Sequence, residues 1–83
     1  MNRRKLLRRL ADGHLKNVAF SDMINVVEGF GFRVSRRSGS HRIYVHPDLT
    51  ELVNLQEVGG EAKPYQIRQF LRLVERYSMS IED

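Results

Sequence analysis

The sequence predicts an α+β domain of two layers, a three-stranded antiparallel sheet with two helices on one face. Three observations predict it. Apolar residues recur at helical spacing over residues 23–30 and 67–77. They alternate with a period of two over residues 32–46, and Gly or Pro separates the segments. An extra N-terminal helix precedes the α-β-β-β-α arrangement.

Taken in order, residues 2–12 form a short amphipathic helix with Leu6, Leu7 and Leu10 on one side, stopped by Asp12-Gly13. Ser21 reads as the N-cap of a second helix, and Asp22 suits the positive end of its dipole. Met23, Ile24, Val27 and Phe30 supply the apolar face, and Gly29 and Gly31 end it. Phe32 and Val34 then alternate with Arg33 and Ser35, a half-buried strand. Ser38-Gly39-Ser40 turns the chain into a second strand over residues 41–46, which makes a hairpin. Alternation assigns His41, Ile43 and Val45 to the inward face and Arg42, Tyr44 and His46 to the outward one. Pro47 and Asp48 end this strand. Residues 52–55 are a short third strand before Gly59-Gly60. Pro64 opens the last helix, whose stripe is Ile67, Phe70, Leu71, Val74 and Tyr77, with Arg68, Arg72 and Arg76 beside it.

Composition narrows the function classes. With 83 residues there is space for one domain, residues 1–83, and none for a Rossmann unit or a barrel. The chain has no cysteine, which excludes a disulfide framework, a thiol nucleophile and a thiolate zinc site. No apolar run reaches the length of a spanning helix, and Arg8 and Arg9 interrupt the leading leucines, so a cytoplasmic protein without membrane contact is expected. The net charge of +4 is unevenly placed. Residues 1–42 hold 10 basic and 3 acidic side chains, whereas residues 43–83 hold 4 and 7. An excess confined to one half points to a polyanionic partner or, more plainly, to a solvated charged face.

The densest basic run, Arg36-Arg37-Ser38-Gly39-Ser40-His41-Arg42, surrounds a glycine turn. Guanidinium forks match phosphate geometry, and an imidazole serves as acid or base near neutral pH. His41 therefore has two readings, a general acid/base or a histidine that caps the turn. Tyr44 stacks an unpaired base or packs across strands. His46 reads as an exposed sheet residue, and His14 carries no role. Asp48, Glu51, Glu57 and Glu61 read as solvating the connections around the third strand in preference to a catalytic pair. The Arg68, Arg72, Arg76 row reads as the solvated flank of its helix in preference to a track along a phosphate backbone or an acidic partner. The histidines lack ligand spacing, so neither a metal site nor a cofactor is expected.

Gly29-Phe30-Gly31-Phe32, then Arg36-Arg37-Ser38-Gly39-Ser40-His41, then Tyr44-Val45-His46-Pro47 resembles the HicA family of toxin–antitoxin mRNA interferases. The resemblance spans residues 21–77 and leaves residues 2–12 as an accessory helix. It implies a double-stranded-RNA-binding-like fold and a metal-independent endoribonuclease that cleaves single-stranded mRNA and arrests translation. A HicB-type antitoxin would neutralise it, and no DNA contact is expected from the chain itself. The family's catalytic histidine falls on His41, with Gly39 and Ser40 as the supporting turn. Arg36, Arg37, Arg42 and Tyr44 are the candidate RNA and phosphate contacts. The chain departs from the family in Gly60-Glu61-Ala62-Lys63-Pro64-Tyr65, where many members open the last helix with Gly-Thr. The same features also serve a non-catalytic RNA-binding module of this fold, or a small domain that docks an acidic protein.

Overall fold

The computed structural model describes residues 2–82. Helix α1, Arg3–Ala11, starts where the Asn2 side chain accepts hydrogen bonds from the Arg4 and Lys5 N–H groups, at 2.9 and 3.2 Å. It ends at Asp12 and the left-handed Gly13 (φ 96°). Helix α2, Phe20–Gly29, does not use Ser21 as its cap. Ala19 holds that position, with no side-chain cap. A tertiary contact sets the start instead, because the Phe20 N–H donates to the Gly60 carbonyl at 2.9 Å. Helix α3, Pro64–Arg76, begins with proline in its first turn as expected.

Between α2 and α3 lie β1, Arg33–Ser38; β2, His41–Val45; β3, Val53–Val58; and β4, Glu61–Ala62. They form one antiparallel sheet in the order β1-β2-β3-β4. The sheet thus has four strands where the sequence predicts three. The third strand also runs to Val58 instead of ending at Leu55. Gly59 and Gly60 both have positive φ, 59° and 79°, the requirement of a two-residue turn that matches sheet twist. What reads in sequence as a strand terminator is the tip of a second hairpin. The outer flank of β4 is then closed by the chain before α2, where the Ala62 N–H donates to the Val18 carbonyl at 2.9 Å.

The core lies between the helices and one face of the sheet. Met23, Val26 and Val27 of α2 and Ile67 and Phe70 of α3 pack against Phe32, Tyr44, Val53 and Leu55. Phe70 meets both Phe30 and Phe32 edge-to-face, with centroids 5.5 and 5.6 Å apart. Leu6 and Leu10 of α1 belong to the same cluster, so the leading helix is packed into the core. The chain ends tie it there. Arg3 bonds the Asn25 side chain and the Glu82 carbonyl, and the Glu82 N–H bonds the Gly29 carbonyl. A methyl group on Gly29 would stand 2.8–2.9 Å from Arg3 and Ile81 side-chain atoms, so glycine lets these segments close.

The two faces of β2 are the reverse of the expectation. Tyr44 is 1% exposed and lies in the core, whereas His41 is exposed and Ile43 and Val45 are half-buried on the opposite face. Alternation gives the partition of a strand but not its sign when both sets carry apolar groups. Tyr44 wins the inward side because its ring fills more of the space under the helices than Ile43 does. Arg42 joins it by laying its guanidinium over the Phe20 ring, 5.1 Å from the centroid. β1 also carries one extra residue, Ser35, between Val34 and Arg36. That bulge changes which residues face inward beyond it.

Candidate active site on the open sheet face

Helices cover one side of the sheet, so the other is open, and register places side chains on it. Ser38 pairs with His41 and Arg36 with Ile43 across β1 and β2. His41 pairs with Gln56 and Ile43 with Asn54 across β2 and β3. Residues directly opposite share a face. The open face therefore groups Arg36, Ser38, His41, Gln56 and Asn54 around Ile43, with His41 at the hairpin end. The inward set, by the same register, is Val34 with Tyr44, and Arg37 with Arg42.

The turn that carries His41 is built for its position. Gly39 and Ser40 form the two-residue loop, with Gly39 at φ 59°. No heavy atom lies within 4 Å of where a Cβ on Gly39 would stand, so glycine is present for its backbone and not for space. The Ser40 carbonyl accepts the Glu57 N–H at 2.9 Å, and its hydroxyl accepts from the Gln56 amide at 3.5 Å. These bonds tie the hairpin tip to β3 beside His41.

The predicted constellation is thus divided. Arg36 shares the face of His41. Arg37 and Arg42 belong to the other face, and Arg42 is held against Phe20. Tyr44, expected outside as a stacking platform, is in the core and offers no ring to a base. His46 is not an exposed sheet residue either. It is half-buried, packs edge-to-face on Phe32 with centroids 5.1 Å apart, and its Nδ1 accepts the Asp48 N–H at 3.1 Å. It lies five positions along the extended chain from His41, about 17 Å at the strand rise. The two histidines therefore do not act on one bond.

Sequence reasoning missed Gln56 as a neighbour of His41. The signal was present, because Val53 and Leu55 alternate with Asn54 and Gln56, but only the register shows which strand position lies opposite His41. It also missed Tyr65, which is 51% exposed in the first turn of α3. Tyr65 precedes Gln66, whose side chain accepts the Gln56 N–H at 2.8 Å. Among the described residues no group of three His, Asp or Glu side chains is placed to hold a metal ion, and no helix is long and apolar enough to cross a membrane.

The fold and site define a small helix-backed antiparallel meander that leaves one sheet face, and the histidine at its corner, open to a partner. The chain belongs to the HicA toxin family: a model for the HicA toxin of bacterial toxin–antitoxin systems matches residues 20–75, from the start of α2 almost to the end of α3. It is thereby a toxin-family protein with a cognate antitoxin as its partner. No curated protein and no solved structure matches it significantly. The matched region contains Gly39, Ser40 and His41, and leaves out α1 and the tail that clamps it.

Proposed function

We propose that the protein is an endoribonuclease that cleaves single-stranded mRNA and so arrests translation, with His41 as its general acid/base. The observation that carries this reading is the place of His41: exposed, at the end of a hairpin fixed to β3, within the HicA-family region. A HicB-type antitoxin would be the neutralising partner, and the cytoplasm the place of action.

The chemistry follows from what an open-face imidazole can reach. The ribose 2′-oxygen loses its proton and attacks the adjacent phosphorus. The bond from phosphorus to the 5′-oxygen breaks, and that oxygen gains a proton, leaving a 2′,3′-cyclic phosphate and a 5′-hydroxyl. His41 carries one of the two proton transfers, and water carries the other, since His46 is on the far end of the strand. Arg36, on the same face, stabilises the charge that builds on the phosphoryl oxygens. The Gly39-Ser40 turn, tied to β3, fixes the backbone from which the imidazole projects. Arg37, exposed at the hairpin tip, steers the RNA backbone. With a single histidine the enzyme is expected to be slow.

The test uses purified protein and a long single-stranded RNA in the presence of a metal chelator. Cleavage supports the enzyme. A salt-sensitive complex without cleavage means an RNA-binding module instead, and neither means a domain for an acidic protein. His41→Ala is expected to keep the fold and RNA affinity while lowering cleavage by at least ~10²-fold. Cleavage at the wild-type rate by the purified variant would end the assignment.

A further inference from the structure

The flank of β3 turned away from β2 is only half closed. The Glu57 N–H points to β2, where it bonds the Ser40 carbonyl. Strand alternation then turns the N–H groups of Gln56 and Asn54 to the opposite flank. At Gln56 the Gln66 side chain accepts that N–H, and Gln66 is itself buried, 6% exposed. β4 pairs with Glu57 and Val58. Before Gln56, no strand among the described residues pairs with this flank. The backbone at Leu52 and Asn54 instead borders an open groove of about 390 Å³ between β3 and α3.

The groove has the features of a strand-accepting site. Phe70 and Leu73 line it, Leu52 is 55% exposed beside it, and Arg72 and Arg76 stand along the α3 side. Glu51 also lines it and lies 3.6 Å from Arg76, so of the two groove arginines Arg72 is the one with no ion pair to a described residue. The sheet's other edge is different. β1 is interrupted by the Ser35 bulge and carries Arg33, Arg36 and Arg37, devices that discourage edge pairing. Leu52-Val53-Asn54-Leu55 has no bulge, proline or charge.

We propose that this flank of β3 is a docking edge to which the antitoxin adds an extended, acidic segment as a further strand. The backbone of Asn54 and Leu52 supplies the hydrogen bonds. Side chains of the added segment on the α3 side place an apolar group against Phe70 and Leu73 and a carboxylate near Arg72. Charge selects this occupant over two others. A second copy adding its β1 would bring arginines to arginines, and two β3 edges paired together would face Arg72 with Arg72. An RNA strand could accept from the edge's N–H groups, but its phosphates would also face the alternating C=O groups, which offer no donor, and the Glu51 carboxylate. The inference rests on family membership and is independent of whether the chain cleaves RNA.

The experiment uses the full chain and its cognate antitoxin, purified separately, with binding measured by calorimetry. Asn54→Pro removes the groove-facing donor and leaves the N–H groups that face β2. It is expected to weaken binding by at least ~10-fold, as is Arg72→Glu, whereas Asn54→Ala, which keeps the backbone donor, stays within about threefold of wild type. Hydrogen exchange at the wild-type Asn54 amide supplies a second readout that needs no variant: it should slow in the complex. Equal affinity for Asn54→Pro and Arg72→Glu, or unchanged exchange at Asn54, overturns the proposal. So does protection of that amide by single-stranded RNA alone, or by raising the concentration of the free chain. Absence of cleavage by the wild type would remove the ribonuclease reading and leave the binding result standing.

Discussion

His41 and Tyr44 lie three residues apart on β2 and end in opposite environments, one exposed and the other 1% exposed. The same parity divides the arginines, and it yields a direct comparison. Arg36→Ala, on the face of His41, is expected to lower kcat by about 10²-fold, the scale for losing one group that stabilises transition-state charge. Arg37→Ala should mainly reduce RNA affinity and flatten its salt dependence. Single-turnover cleavage against binding isotherms separates the two, and equal effects on kcat would show that the register does not sort them. A second residue-scale feature lies at the end of α3, where the Tyr77 hydroxyl donates to the Glu51 carboxylate and Arg76 lies close by. That hydrogen bond holds Glu51 below its ordinary value near 4.5 and pushes Tyr77 above 10.0. A lowered carboxyl pKa means the tether's contribution is complete above about pH 4.5 and fades as pH falls through the folded value. A raised phenol pKa means it is complete below pH 10.0 and fades as pH rises beyond it. Tyr77→Phe should return the Glu51 carboxyl toward 4.5 in an NMR titration.

Elements are specified by their ends. α3 begins where proline suits the first turn and was legible for that reason, whereas α1 was legible from its leucine stripe and its Asn2 cap came only with the structure. α2 begins one residue before the expected cap, because the Phe20 N–H is satisfied by Gly60, 40 positions away, and no local pattern contains that contact. β4 was missed for a related reason: two residues, Glu61 and Ala62, have no periodicity to detect. They become a strand only because the glycine turn folds them onto Glu57 and Val58 and the chain before α2 covers their outer flank. Gly60→Ala places a Cβ at φ 79° and should cost about 1–2 kcal/mol, the penalty of a left-handed backbone for an ordinary residue. Urea unfolding measures it, and amide exchange at Ala62 should rise with it. A neutral result would mean that the turn relaxes without loss.

For the whole molecule, the leading helix changes meaning once packing is known. The family region, residues 20–75, does not include it, yet Leu10 is 1% exposed in the shared core and the chain ends close over Gly29. Leu10→Ala should therefore lower global stability by about 2–5 kcal/mol, the range for a buried leucine. The loss should appear equally in helical circular dichroism and in exchange of the β2 amides; a loss confined to α1 would show that it melts separately. Charge acts at this scale too. The basic first half of the chain contains α1, β1 and the hairpin tip, while Glu51 precedes β3 and Glu57 lies on it. On the two proposals above, nucleic acid and an acidic protein segment would meet different parts of one small surface.

The sequence by itself determined the class of fold, the extent of the last helix, the glycine turn and the histidine that follows it, because each rests on local rules of periodicity, capping and left-handed backbone. It also carried the family motif around His41. Only the tertiary structure decided which face of β2 is inward, which arginine accompanies His41, that a fourth strand exists and that the flank of β3 is open. The physical reason is common to these four. A two-residue period divides a strand into two sets without saying which is buried. That choice is made by the volume of Tyr44 beneath the helices, by one extra residue at Ser35, and by hydrogen bonds between segments far apart in the chain.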